Sequence, residues 1–121
     1  MADLAHSHCV PCRSNEPALS EAASAELLKA VPGWTLVERE GIPRLERRYA
    51  FGNFLEALDF TNRVGREAQD EDHHPALLTE WGGVTVSWWT HNIGGLHRND
   101  FIMAARTDAI ALADQAIFNA V

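Results

Sequence analysis

The chain has no run of about eighteen apolar residues, and its first thirteen residues are polar where a secretory signal would be apolar. We therefore expect a cytoplasmic protein that neither spans nor binds a membrane. Positive charge is also scarce, since ten Lys and Arg residues stand against seventeen Asp and Glu, for a formal net charge of −7. The arginines are scattered and form no basic patch, which argues against direct binding of nucleic acid.

Cysteine is nearly absent, and its two copies, Cys9 and Cys12, form a single C-x-x-C motif. This spacing is compatible with zinc binding or with thiol redox chemistry. A structural zinc site would need a second pair of ligands, and a thioredoxin-like motif would lie between a buried strand and a helix. Because neither context is present, we favour no essential role, with metal binding and redox sensing as alternatives.

The length and composition are those of one globular domain. The 121 residues are 46% hydrophobic, which supports a packed core and leaves no room for a second catalytic domain. We expect a flexible N-terminal tail over residues 1–18, which contains the C-x-x-C motif, and a single domain over residues 19–121.

The first half of this domain predicts a helix followed by a β-hairpin. Ser20 is a suitable N-cap for a helix over residues 21–31, which Pro32-Gly33 would end. Apolar and charged residues then alternate over residues 34–40 and 44–51, on either side of Gly41-Ile42-Pro43. This alternation predicts two strands with one solvated face.

The second half predicts a helix over residues 53–69, a second hairpin and a last helix. The hairpin strands are residues 76–81 and 84–91, joined by Gly82-Gly83, and the last helix covers residues 99–120. On the middle helix we expect the buried positions to be Phe51, Phe54, Leu55, Leu58, Phe60, Val64 and Ala68. On the last helix we expect Ile102, Ala105, Ala109, Leu112 and Ala116 to form the apolar face.

The order of these elements indicates the fold class. Short hairpin links make neighbouring strands antiparallel, and each amphipathic helix has one face to bury. The sequence therefore predicts an α+β fold in the order α-β-β-α-β-β-α, with a four-stranded antiparallel sheet and three helices packed on one face.

Three histidines attract attention, because imidazole titrates near neutral pH. His73 and His74 lie in the loop before the third strand, where Pro75 favours an extended backbone and the two side chains diverge. His91 ends the fourth strand. Because the Gly82-Gly83 hairpin folds that strand back along the third, we expect the three imidazoles to lie around one site.

Three kinds of role remain open for this histidine set. With Asp100 or water as a fourth ligand, the histidines would form a zinc site that activates water for hydrolysis. Without metal, they would act as general acid and base. One or two of them would otherwise be hydrogen-bonded structural residues. Spacing alone does not decide between these roles.

The residues around the histidines resemble a known family. Asp72-His73-His74-Pro75, followed after five residues by Trp81, after nine more by His91 and after eight more by Asp100, is similar to the signature of the pterin-4a-carbinolamine dehydratases. The segments from Leu77 to Trp81 and from Gly95 to Asp100 resemble the bacterial branch. The resemblance implies dehydration of 4a-hydroxytetrahydrobiopterin to quinonoid dihydropterin, which recycles the pterin of aromatic amino acid hydroxylases. It also implies that no metal or other cofactor is needed, since the pterin is the substrate.

The resemblance further implies roles for individual residues. The family's three active-site histidines correspond to His73, His74 and His91, which hold the pterin and act as acid and base. Asp100 corresponds to the closing carboxylate, which either orients an imidazole or interacts with the N-terminus of the last helix. The flanking positions that would contact the substrate are Asp72, Trp89, Thr90 and Asn92.

Two positions depart from the family pattern. Gln69 stands where relatives have an ionisable residue, and Asp70 or Glu71 is a candidate to replace it. A carboxylate beside an imidazole favours the protonated ring, so this substitution bears on the pH optimum. His97 stands where relatives have a helix-capping Ser, and we expect Asn99 to take part in capping instead.

The resemblance also implies partners. Family members form homodimers or homotetramers, and phenylalanine hydroxylase is a possible partner of this chain. Relatives of this fold also serve as non-enzymatic dimerisation or assembly proteins. A regulatory or assembly partner is therefore the alternative to an enzyme.

Overall fold

The computed structural model describes residues 3–11 and 16–119, with side chains described up to residue 113. The helices are α1 (Glu21–Leu28), α2 (Phe54–Glu71) and α3 (Arg98–Asn119). The strands are β1 (Thr35–Arg39), β2 (Ile42–Ala50), β3 (Ala76–Glu80) and β4 (Gly83–Trp88). Single 3-10 turns cover Leu4–His6 and His91–Ile93. The predicted element order is confirmed.

The four strands form one antiparallel sheet in the order β1-β2-β4-β3. Helices α2 and α3 pack on one face, against the inward side chains of β2 and β4, while α1 contacts α3. Buried side chains on this face of the sheet are Leu45, Tyr49, Val84, Val86 and Trp88. The α+β fold class is thus confirmed.

Both hairpin turns lie one or more residues away from the predicted positions. The first turn is Glu40-Gly41, and both residues adopt positive φ. Pro43 lies inside β2, where pairing with β4 begins only at Leu45, so its missing N–H leaves no ladder bond to β4 unmade. In the second hairpin the turn is Trp81-Gly82, with a φ of 83° at the glycine.

The predicted buried stripe of α2 was partly wrong. Ala57, Phe60, Val64 and Ala68 face the sheet and α3, whereas Leu55 is 66% exposed. Phe54 and Leu58 are exposed as well. Only one side of this helix meets β3, β4 and α3, and the spacing of the four buried positions follows that side.

The predicted apolar face of α3 was also incomplete. Leu112 and Ala109 are exposed, whereas Phe101, Met103 and Ala104 are fully buried. The first turns of α3 bury several sides of the helix because they contact the sheet, α2 and the turn at Leu4–His6. Ala116 lies outside the described side chains.

The helix ends follow local capping rules. Ser20 accepts the N–H of Ala23, as predicted, and Asn53 accepts the N–H of Glu56 at the start of α2. Helix α1 ends at Leu28, three residues before the predicted end. None of the described helices is long and apolar enough to cross a membrane.

The segment predicted as a tail contacts the domain over residues 3–11. Leu4 is buried in the hydrophobic core, and its turn packs against α3. The domain boundary at residue 18 stays a prediction.

Candidate active site

The end of α2 separates the two adjacent histidines. Asp72 adopts a left-handed conformation, with a φ of 52°, and caps the helix through its N–H. The N–H of His73 bonds to the carbonyl of Ala68 at 3.0 Å. After this sharp turn, His73 is buried and His74 is exposed. The divergence expected from Pro75 is therefore accompanied by a difference in burial.

His73 is held on two sides. Its Nε2 lies 2.6 Å from Oδ1 of Asp100, and its ring stacks on Trp88 with 5.8 Å between centroids and an 8° interplanar angle. A carboxylate oxygen accepts this bond, so Nε2 carries a proton and Nδ1 is the nitrogen left for another partner. The arrangement fixes both the tautomer and the orientation of the ring.

Asp100 is 0% exposed and joins the histidine to the start of α3. Its Oδ2 accepts the hydroxyl of Thr90 and the backbone N–H of His97, both at 2.9 Å. His97 Nδ1 in turn accepts the N–H of Asn99 at 3.0 Å, which completes a reciprocal cap. Asp100 therefore both orients the imidazole of His73 and interacts with the N-terminus of α3, the two roles considered for it from the sequence. The expectation that Asn99 caps the helix was wrong, because His97 performs that role.

His74 contacts the residue that departs from the family pattern. Its Nε2 lies 3.1 Å from Oε1 of Gln69, whose neutral amide oxygen accepts the bond. Glu71 points instead to the N-terminal segment. The hydrogen-bond acceptor of His74 Nε2 is therefore a neutral amide and not a carboxylate.

His91 lies on the 3-10 turn after β4, not at the end of the strand as predicted. Its ring stacks on Trp89, with 4.4 Å between centroids and an interplanar angle of 17°. The guanidinium of Arg44 lies 3.9 Å from the centroid of the same indole. Trp89 thus contacts the ring of His91, and Arg44 packs on the same indole.

The three imidazoles line one cavity of about 700 Å³, together with Asp72, Thr90 and Asn92. This volume is in the range that holds small organic ligands. Trp89, predicted to contact substrate, is not among the lining residues, and the Thr90 hydroxyl is bonded to Asp100. Asp70 and Glu71, the candidates to replace the ionisable residue at position 69, also line the cavity. The lining residues that sequence reasoning did not assign to the site are His8, Cys9, Val10, Pro11 and Asn99.

The geometry gives no support to the zinc alternative. Within residues 3–11 and 16–119, no group of three or more His, Cys, Asp or Glu side chains is placed to hold one metal ion. Cys9 is a free thiol, and Cys12 lies outside the described residues.

Comparisons with known proteins agree with this architecture. The family described as "Pterin 4 alpha carbinolamine dehydratase" matches residues 17–110. A protein of Gloeobacter violaceus that carries the provisional name pterin-4-alpha-carbinolamine dehydratase 1 is 59% identical over 109 residues, which cover 90% of this chain and 94% of the relative. A similarly named protein of Microcystis aeruginosa is 56% identical over 110 residues, covering 91% and 95%.

Solved structures share the fold. A transcriptional coactivator/pterin dehydratase from Brucella melitensis superposes with a TM-score of 0.70 at 31% identity, covering 78% of this chain and 98% of that one. A pterin dehydratase-like RuBisCO assembly factor of the alpha-carboxysome gives a TM-score of 0.53 at 23% identity, covering 64% and 89%, and shows the fold alone. From the match over residues 17–110 and the two close relatives, the chain belongs to the pterin-4a-carbinolamine dehydratase family of hydro-lyases.

Proposed function

We propose that this chain dehydrates pterin-4a-carbinolamine (4a-hydroxytetrahydrobiopterin) to quinonoid dihydropterin and water, by metal-free acid/base catalysis. The observation that carries the proposal is that His73, His74 and His91 line one cavity large enough for a bicyclic ligand. In this role the protein would recycle the pterin of an aromatic amino acid hydroxylase, with phenylalanine hydroxylase as the candidate partner.

The elimination needs two proton transfers. The C4a–O bond breaks, the neighbouring ring N–H loses its proton, and the electron pair of that N–H bond forms the new C=N bond. The hydroxyl takes up a proton and leaves as water, so one imidazolium gives up a proton and one neutral imidazole gains one. Each such transfer contributes about 10²- to 10⁴-fold to a rate.

The histidines differ in how they are held. His73 is buried between Asp100 and Trp88, which suits a ring that must present one nitrogen in a constant direction. His74 and His91 are exposed side chains that line the cavity. Asp72 and Asn92 line the same cavity and are proposed to bind the polar edge of the pterin.

A direct assay with enzymatically generated carbinolamine tests the function. We expect the purified protein to accelerate the appearance of quinonoid dihydropterin above the uncatalysed rate, and a triple variant of His73, His74 and His91 to lose this acceleration. Turnover that is the same with and without the protein would reject the proposal.

Gln69→Glu should move one limb of the pH–rate profile to higher pH. The new carboxylate would lie beside His74 Nε2 and favour the protonated ring, whether that ring acts as acid or base. Because His74 is exposed, we expect a shift of about 1 pH unit or less. Asn62→Asp, at an exposed α2 position outside the cavity lining, adds the same charge and serves as the control. Equal pH–rate profiles for Gln69→Glu and the parent would contradict the contact between residue 69 and His74.

We also propose that copies of the chain associate into a homodimer or homotetramer. Phe54, Leu55 and Leu58 form an exposed apolar patch on α2, and β1 and β3 are the outer strands of the sheet. Sedimentation at micromolar concentration should give a mass above the 13.4 kDa of one chain, and Leu55→Asp should lower it. A parent that sediments as a monomer would contradict this.

The same α2 patch supports the alternative function of a non-enzymatic partner protein. Complementation of a deletion strain separates the two roles. If the triple histidine variant restores the phenotype and Leu55→Asp does not, the surface and not the cavity carries the function.

A further inference from the structure

The N-terminal segment is fixed to the domain by side chains of α2 and α3. Leu4 is 5% exposed and packs in the core, and the 3-10 turn that it begins, Leu4–His6, contacts α3. The Arg106 guanidinium donates to the carbonyl of Ser7 from Nε at 2.9 Å and from one terminal nitrogen at 2.5 Å. The chain is thereby directed toward the cavity.

Residues His8–Pro11, which we call the N-terminal strap, are then bound by Asn99. Asn99 is 2% exposed, and both polar atoms of its side chain contact the backbone of Val10. Oδ1 accepts the Val10 N–H at 3.1 Å, and Nδ2 donates to the Val10 carbonyl at 2.7 Å. A buried amide whose hydrogen bonds are satisfied by one remote residue is a specific attachment.

Glu71 makes a second attachment. Its side chain is 10% exposed, Oε1 accepts the Cys9 N–H at 2.8 Å, and Oε2 lies 2.9 Å from His8 Nδ1. Burial alone would raise the pKa of Glu71, but the bonds from His8 and Cys9 and the nearby Arg106 hold that pKa below its usual range. The carboxylate is therefore a charged acceptor at neutral pH.

We propose that the N-terminal strap is a wall of the substrate site and raises affinity for the pterin, with Asn99 and Glu71 as its positioning residues. This inference rests on the proposed dehydratase function. The strap lines the same cavity as the three imidazoles. Cys9, Val10 and Pro11 are the weakly polar members of the lining, whereas the rest of it is rich in His, Asp and Asn. A flat bicyclic ring has polar edges and apolar faces, which this division matches.

The strap should act on binding more than on the chemical step. The partners of the three imidazoles are Asp100, Trp88, Gln69 and Trp89, and within the described part of the chain none of these four side chains hydrogen-bonds to the strap. Release of the strap is therefore expected to raise KM at least about tenfold while kcat changes by less than about threefold.

Cys9 offers a measure of strap attachment that does not depend on activity. Burial, and then the charge of Glu71, raise the pKa of its thiol to about 12. The attached thiol should thus react slowly with iodoacetamide at pH 8, and a released one should react at least about 10²-fold faster. A Cys12→Ser background leaves Cys9 as the one cysteine of the sequence.

Two variants release the strap in different ways. Val10→Pro removes the N–H that Asn99 accepts, while Val10→Ala keeps it and should leave Cys9 unreactive. Asn99→Ala removes both bonds to Val10, and Asn62→Ala is its matched control at an exposed α2 position. Both releasing variants should react quickly with iodoacetamide and show the raised KM.

Three results would overturn the proposal. The first is rapid alkylation of Cys9 in the parent, and the second is slow alkylation in both releasing variants. The third is rapid alkylation of both releasing variants with a KM equal to that of the parent. This result would show that the strap does not contribute to pterin binding, although the protein is an active dehydratase. Absence of dehydration by the parent would instead refute the proposed function. In that case calorimetry would still test the strap, by comparing the affinity of the parent and of Val10→Pro for 7,8-dihydrobiopterin.

Discussion

His91→Ala is expected to lower kcat for carbinolamine dehydration by about 10²- to 10⁴-fold, because the variant removes one of the groups proposed to transfer a proton. The folded state should persist. His91 is exposed and its ring stacks on Trp89, a contact worth about 1 kcal/mol. Stopped-flow measurement with enzymatically generated carbinolamine, corrected for the uncatalysed rate, gives kcat, and circular dichroism gives Tm.

His6→Ala is the matched control for this variant. His6 is also exposed, bonds to Asp3, and is not among the residues that line the cavity. We expect its kcat and KM to equal those of the parent. A His91→Ala protein that turns over at the parent rate would exclude His91 from the chemistry, and with it the three-histidine mechanism.

Asp100→Ala is expected to have the largest effect on stability. The carboxylate accepts from His73, Thr90 and the His97 N–H in a fully buried position, and its removal leaves these donors without their acceptor. We expect a loss of about 3–5 kcal/mol in the free energy of unfolding. At about 4 °C per kcal/mol for a domain of this size, Tm should fall by about 10–20 °C. A fall of only a few degrees would contradict this account.

Asp100→Asn separates the positioning role from the structural one. The amide has nearly the same shape but only one acceptor atom, and an NH₂ group directed at His73 would force the proton from Nε2 to Nδ1. We expect Tm to remain well above that of Asp100→Ala, while kcat falls by about 10²-fold or more. Nitrogen NMR shifts of the His73 ring report the tautomer directly. An unchanged tautomer with unchanged kcat would show that Asp100 serves stability alone.

Much of the fold could be predicted because its signals are local. The Ser20 cap, the alternation over β1 and β2 and the helical spacing over α2 each involve residues a few positions apart. The errors occurred where neighbours decide the outcome. Leu55 fits a helical stripe as well as Phe60 does, but only the side of α2 that meets the sheet and α3 is buried.

The candidate site was predictable in part for a related reason. The spacing of His73, His74, His91 and Asp100 in the sequence is enough to identify the motif. The hairpin between the third and fourth strands, which is predicted from a short turn sequence, brings the three histidines together. The partner of His74 was not predictable, since Gln69, Asp70 and Glu71 all lie at the end of one helix and their directions depend on how that helix ends. The same holds for Trp89, whose indole contacts both His91 and Arg44.

The amino-acid sequence by itself determined the order of helices and strands, the antiparallel sheet and the identity of the three clustered histidines. These follow from caps, periodicity and turns, which act over a few residues. Only the tertiary structure decided which helix faces are buried, which partner each imidazole has, and that His8–Pro11 lines the cavity. Those contacts join residues as far apart as Val10 and Asn99, 89 positions along the chain, and no local pattern specifies a bond at that distance.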